Sequence, residues 1–99
     1  MEKDLLQIIE HFGINNQQRK LQEEVFELNE AVIQAEEFKK FNDRYNIFNK
    51  MNITEEIADI EVILLQIKEY YHIDGNEILK TMKNKIKRTL ERIESGYYE

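Results

Sequence analysis

Apolar residues recur at spacings of three and four through most of this chain, the period of an amphipathic helix. Leu5, Leu6, Ile8, Ile9 and Phe12 mark a first helix from about Lys3 to Phe12, and Gly13 stands where a helix stops. A second begins near Asn16 and carries Leu21, Val25, Leu28, Val32 and Ala35. It fades in "EEFKKFNDRYNIFNKMN", residues 36–52, whose mixture of aromatic, charged and asparagine residues reads as a connection with weak structural instructions, open to partial helix. Asn52 followed by Glu55 has the form of a capping box and opens a third helix that continues to about Tyr71. "DGNE", Asp74 to Glu77, opens a fourth in the same way. Its stripe is Leu79, Met82, Ile86, Leu90 and Ile93, and Gly96 ends it. The pattern predicts an all-α antiparallel bundle of about four helices, as one domain over residues 1–99.

The second and third helices echo each other. Shifted by 32 residues, "EEVFELNEAVIQAEEF" lies over "EEIADIEVILLQIKEY". Glu23, Glu24, Gln34 and Glu37 meet Glu55, Glu56, Gln66 and Glu69 as identities, and Glu27 meets Asp59. Two versions of one unit, packed antiparallel, are expected. The echo separates two populations of acids. Glu24 and Glu56 fall inside the apolar faces, with Glu27 and Asp59 at their edges. Glu23, Glu30, Glu55, Glu61 and Glu69 sit farther out and read as solvated.

An ionised carboxylate in an apolar setting is costly unless it is paired or holds a metal. Four facing one another repel, and a divalent cation resolves the conflict; hard oxygen ligands suit Mg²⁺ or Mn²⁺. Either pair alone, ExxE or ExxD, reads as an ordinary charged surface. Both in matched register on a repeated unit point inward, so Glu24, Glu27, Glu56 and Asp59 are the candidate metal ligands and catalytic residues.

Composition narrows the classes. With no proline, three glycines and 34% charged residues, the chain suits helices joined by short turns. A net charge of -6 argues against a nucleic-acid partner. The absence of cysteine removes disulfides, zinc thiolates and thiol nucleophiles and fits a reducing cytoplasm. No secretory signal is read at the start, and no apolar run approaches the ~20 residues needed to span a bilayer. A soluble cytoplasmic protein is expected, without a membrane partner.

"KLQEEVFELNEAV" followed by "EEIADIEVILLQI" resembles the MazG-like nucleotide pyrophosphohydrolases of the all-α NTP pyrophosphatase superfamily, over roughly residues 17 to 93. The resemblance rests on ExxE on one helix and ExxD on the next, matched by Glu24, Glu27, Glu56 and Asp59. It implies an all-α homodimer or homotetramer that holds Mg²⁺ on these carboxylates. The implied activity is hydrolysis of a nucleoside triphosphate between the α and β phosphates, yielding a monophosphate and pyrophosphate, in the service of clearing the nucleotide pool. Phosphates need fixed positive charge, for which Lys83, Lys85 and Arg88 on the fourth helix and Lys20 on the second are the candidates. Lys85 and Arg88 resemble basic positions of the family. Lys83 and Thr89 depart from it, standing where many members have asparagine and arginine.

Two other readings compete. A phosphoribosyl-ATP pyrophosphohydrolase would be of similar size, but its members usually follow ExxD with a Tyr-His pair, where this chain has "DIEVILLQ". A non-catalytic helical interaction or regulatory module could keep the same scaffold. Glu69 and His72 form a single ExxH, whereas di-iron bundles use two, so His72 reads as a helix-end residue. A second apolar side on the third helix, Ala58, Val62 and Leu65, with Phe26 and Ile33 on the second, predicts burial by another subunit.

Overall fold

The computed structural model describes residues 1–42 and 47–99, with the side chains of residues 41 and 42 left aside. Part of the predicted connection, residues 43–46, therefore lies outside the described residues. The elements are four helices: α1 (Glu2–Phe12), α2 (Ile14–Asn42), α3 (Ile47–Tyr70) and α4 (Gly75–Glu94). No strand occurs among the described residues, and none of these helices is long and apolar enough to cross a membrane.

The stops lie where local chemistry puts them. Gly13 closes α1 at φ 87°, its N–H donating to the Ile9 carbonyl at 2.8 Å. At the end of α3, His72 adopts φ 55°, a left-handed conformation that is uncommon outside glycine. Its N–H donates to the Glu69 carbonyl, and Ile73 N–H donates to the Lys68 carbonyl. This paired closure satisfies carbonyls that the helix end would leave orphaned. His72 is thus the helix-end residue its position suggested. The end of α4 repeats the arrangement around Gly96 at φ 75°, with Gly96 and Tyr97 N–H donating to Ile93 and Arg92. At its start, the Asp74 carboxylate accepts from Asn76 N–H at 2.8 Å.

Two boundaries differ from the sequence reading. α2 does not fade at residue 36 but runs to Asn42, and α3 starts at Ile47, five residues before the expected cap. Asn52 lies inside α3 and is no cap, while Thr54 Oγ1 donates back to the Lys50 carbonyl one turn earlier. Nothing in "IFNKMN" breaks a helix, so the cap signature at Asn52 had no effect.

α2 and α3 pack along most of their length and run antiparallel, with Gln17 near the start of one hydrogen-bonded to Gln66 near the end of the other. The inward line of α2 is Gln17, Leu21, Glu24, Leu28, Ala31, Ala35 and Phe38, all buried or half-buried. That of α3 is Asn49, Ile53, Glu56, Ile60, Ile63 and Ile67, which is the first six of the α2 line displaced by 32. Both lines alternate steps of four and three, the seam of a coiled-coil pair. Val25 and Val32, expected on the core side, are instead 42% and 41% exposed. Ala31 and Ala35 hold inward places on the seam, at the positions equivalent to Ile63 and Ile67 of α3. α1 lies mainly against α3 and buries Leu5 and Ile9. Ile9 and Ile63 are the fully enclosed aliphatics of this three-helix core.

α4 stands apart. Beyond its first turn, where Ile78 shares a cavity of about 220 Å³ with Leu64, Leu65 and Lys68, it packs against none of the other helices. Its expected stripe exists, but Leu79, Met82, Ile86, Leu90 and Ile93 all face solvent in one chain. The predicted four helices are present, and three of them build the core.

Candidate metal centre

Halfway along the α2–α3 seam, the inward line carries Glu24 and Glu56 opposite each other. Each half-buries its carboxylate between isoleucine and leucine layers, with Leu21 and Leu28 on one helix and Ile53 and Ile60 on the other. Glu27, three residues on from Glu24, is exposed at the rim and completes a group. One carboxylate oxygen from each of Glu24, Glu27 and Glu56 lies within 4.8 Å of the other two, a separation one cation can bridge. Asp59 is exposed on the same rim as Glu27, outside that group but near enough for its charge to act on both Glu24 and Glu56.

The electrostatics follow from the geometry. Burial raises the Glu24 carboxyl to about 7, helped by a proton shared with Glu56 and by the negative charges of Glu27, Asp59 and Glu56. Burial also raises Glu56, as do the charges of Glu27 and Asp59, while its hydrogen bond to Glu24 pulls the other way. Glu24 Oε2 and Glu56 Oε2 are buried and have no hydrogen-bond partner. No ion pair to any of the four acids forms among the described residues. Two orphaned oxygens on carboxyl groups that meet through a shared proton are a donor set that a cation can satisfy in place of that proton. Hard oxygen ligands at this spacing fit a divalent cation of the Mg²⁺ or Mn²⁺ type.

The predicted cations are placed less evenly. Lys20 is exposed one turn before Glu24 and lines a cavity of about 400 Å³ with Ile8, Phe12, Asn16, Arg19 and Gln66 among its other walls. Lys83, Lys85 and Arg88 are exposed on α4, which does not pack on α2, so the chain by itself does not gather them around the acids. The outer acids Glu23, Glu30, Glu55 and Glu61 are exposed as expected. Glu69 is not; its side chain is 17% exposed and accepts from Lys68 Nζ at 2.6 Å.

Sequence reasoning missed the second polar level of the seam. Gln17 Nε2 donates to Gln66 Oε1 at 2.8 Å, with both residues buried. The signal was present: Gln17 is seven residues before Glu24, one full repeat of the inward line. No family model, curated protein or solved structure matches the chain.

Proposed function

We propose that this chain is a MazG-like nucleotide pyrophosphohydrolase that cleaves nucleoside triphosphates, ordinary or damaged, to a monophosphate and pyrophosphate. The observation that carries the reading is the pair of partnerless buried oxygens, Glu24 Oε2 and Glu56 Oε2, on helices that repeat each other. Glu24, Glu27 and Glu56 would hold a divalent cation, with Asp59 at the same rim as a fourth ligand or as a holder of a metal-bound water. When bound, Mg²⁺ or Mn²⁺ supplies neutralisation of phosphate charge and an activated water.

The chain's own residues supply the rest. The isoleucine and leucine layers on either side of the acids keep bulk water from the inward carboxylates and hold their rotamers. The cavity beside Lys20 has the volume of a small-molecule site, roughly 300–1,000 Å³. Its apolar wall is Ile8 and Phe12, and its amide floor is Gln17 and Gln66. Lys20 Nζ, one turn from Glu24, is the cation of this chain best placed to take phosphate oxygens. The active species in this reading is a cytoplasmic homodimer or homotetramer.

The test is a broad nucleotide panel with pyrophosphate detection in Mg²⁺ and in Mn²⁺. Pyrophosphate release that is lost in Glu56→Gln and Asp59→Asn, with helicity kept by circular dichroism, supports the reading. Absence of pyrophosphate from every nucleotide, phosphoribosyl-ATP included, leaves a helical interaction module as the better description.

A further inference from the structure

The cavity beside Lys20 has two buried amides as its floor, and their bonding is left open on one side. Gln17 and Gln66 are 4% and 2% exposed, and both line the cavity. Gln17 Nε2 donates to Gln66 Oε1, which uses one polar atom of each amide. Gln17 Oε1 and Gln66 Nε2 remain. Neither has a partner among the described residues, and neither is sealed from solvent as Glu24 Oε2 and Glu56 Oε2 are. What little surface the two residues keep opens on the cavity. The floor is thus one acceptor beside one donor, with Ile8, Phe12 and Ile63 as apolar wall.

Helix geometry fixes this floor relative to the acids. Gln17 is seven residues from Glu24 and Gln66 seven from Asp59, so each lies two turns, roughly 10 Å, along its helix from the carboxylates. Residues seven apart share a face, which sets Lys20 with Glu27 on α2 and Gln66 with Asp59 on α3. A nucleotide with its phosphates at the acids reaches the amides with its base, across the length of the ribose. Phosphate oxygens only accept, and they have no use for a neutral donor–acceptor pair. Every nucleobase does, through the adjacent donor and acceptor of its Watson–Crick edge. The order of that edge differs between bases. Adenine and cytosine present an amino group and then a ring nitrogen, whereas guanine and uracil present a carbonyl and then a ring N–H. The floor can meet both orders. If the two amides turn end for end together, Gln66 Nε2 donates to Gln17 Oε1, their mutual bond persists, and the free donor and acceptor change places. No third group among the described residues ties either amide to one sense.

We propose that Gln17 and Gln66 form a reversible amide pair that holds a nucleobase by its Watson–Crick edge, taking adenine and cytosine in one sense and guanine and uracil in the other. The nucleotide as ligand rests on the pyrophosphohydrolase reading; the amide pair adds how its base is chosen. The pair requires an adjacent donor and acceptor and is indifferent to which base carries them. The substrate class is then nucleoside triphosphates at large, modified bases included wherever that edge is intact.

The test is calorimetric binding of nucleoside 5′-monophosphates in Mg²⁺, with ribose 5-phosphate as the probe that has no base. AMP, CMP, GMP and UMP are expected to bind within about tenfold of one another. Ribose 5-phosphate should bind about tenfold or more weakly, and so should purine riboside monophosphate, which keeps the ring acceptor of AMP without its amine. Gln66→Glu replaces the free donor with an oxygen and fixes the pair in one sense, with two acceptors facing the cavity. It should retain GMP, whose ring N–H and amino group are adjacent donors, and weaken AMP, CMP and UMP about tenfold or more. Because that variant could unfold, Gln17→Leu with Gln66→Leu removes both amides without leaving an orphan; all four monophosphates should then bind as weakly as ribose 5-phosphate. The proposal is overturned by no binding of any monophosphate, by ribose 5-phosphate binding as tightly as AMP, or by unchanged ranking in folded Gln66→Glu. A preference of the parent for one base by more than about a hundredfold overturns it as well. A parallel pyrophosphate assay separates the two readings. Release without amide-dependent binding removes the amide pair alone, and amide-dependent binding without release removes the hydrolase alone.

Discussion

Two of the polar levels buried in the α2–α3 seam behave in opposite ways. At one, Gln17 and Gln66 answer each other, amide donor to amide acceptor, at 2.8 Å. At the other, Glu24 and Glu56 can bond only by sharing a proton, and each keeps a buried Oε2 that nothing satisfies. The same two helices and the same inward line accommodate both pairs, so the difference lies in the chemistry of the groups. An amide carries its own donor and its own acceptor, and two of them can close a bond without outside help. Two carboxylates cannot; they need a proton or a cation. The first level is therefore complete as it stands, and the second is satisfied only with a proton or a cation between its carboxylates.

The sharpest way to break the contrast is to neutralise the incomplete level. Glu56→Gln should lower pyrophosphate release by about 10³-fold or more, the loss expected when several kcal/mol of cation-borne charge stabilisation is removed. In the absence of metal the same variant should melt higher than the parent, because it gains an amide donor where two acceptors met. Activity surviving with a comparable rate would mean that this level is not the site. The complete level should respond in the other sense. Gln17→Leu strands the Gln66 amide oxygen in the core and should cost roughly 1–3 kcal/mol in urea or thermal unfolding. Replacing both glutamines by leucine should recover most of that loss, since no orphan remains.

Part of the contrast could be read from the chain before folding, and part could not. The 32-residue echo placed Glu24 and Glu56 on the inward faces, where both lie half-buried, because a repeated unit repeats its buried face. Gln17 escaped notice because a glutamine outside the matched stretch looks like surface. Val25 and Val32 were assigned inward with Ala35 by their hydropathy, yet the seam's steps of four and three keep Ala35, bring in Ala31 and leave both valines on a flank, a distinction of register that a polarity pattern does not weigh. Helix ends at Gly13, Asp74 and Gly96 were legible since each rests on a local backbone requirement. The start of α3 at Ile47 was not, because a cap signature at Asn52 competes with an unbroken run of helix-compatible residues. α4 shows a different limit. Its stripe has one appearance in sequence whether its own chain or another covers it.

pH separates the two levels more finely. Free in the unfolded chain, Glu24 titrates near 4.5, while in the fold it is raised to about 7 by burial and by its acidic neighbours. Between those values the folded state binds more protons than the unfolded one, so stability falls as pH rises through that window. The contribution is unpenalised below pH 4.5, and the loss is complete above about 7. The melting temperature of the metal-free protein should therefore drop from pH 5 to pH 8 by more than that of Glu24→Gln, measured side by side. Equal slopes in the two proteins would contradict the burial assigned to Glu24. The amide level has no titrating group and should add nothing to the slope. The smallest effects belong to the solvated acids. Glu30→Gln and Glu55→Gln should stay within about 0.5 kcal/mol of the parent and keep its activity.

Calorimetric titration of Mn²⁺ into metal-free protein, in two buffers of different ionisation enthalpy, tests the central claim most directly. The carboxylate level predicts saturable binding with proton release that is larger at pH 6 than at pH 8, and its loss in Glu24→Gln with Glu56→Gln. No binding heat at either pH, or binding that survives the double substitution, would contradict it.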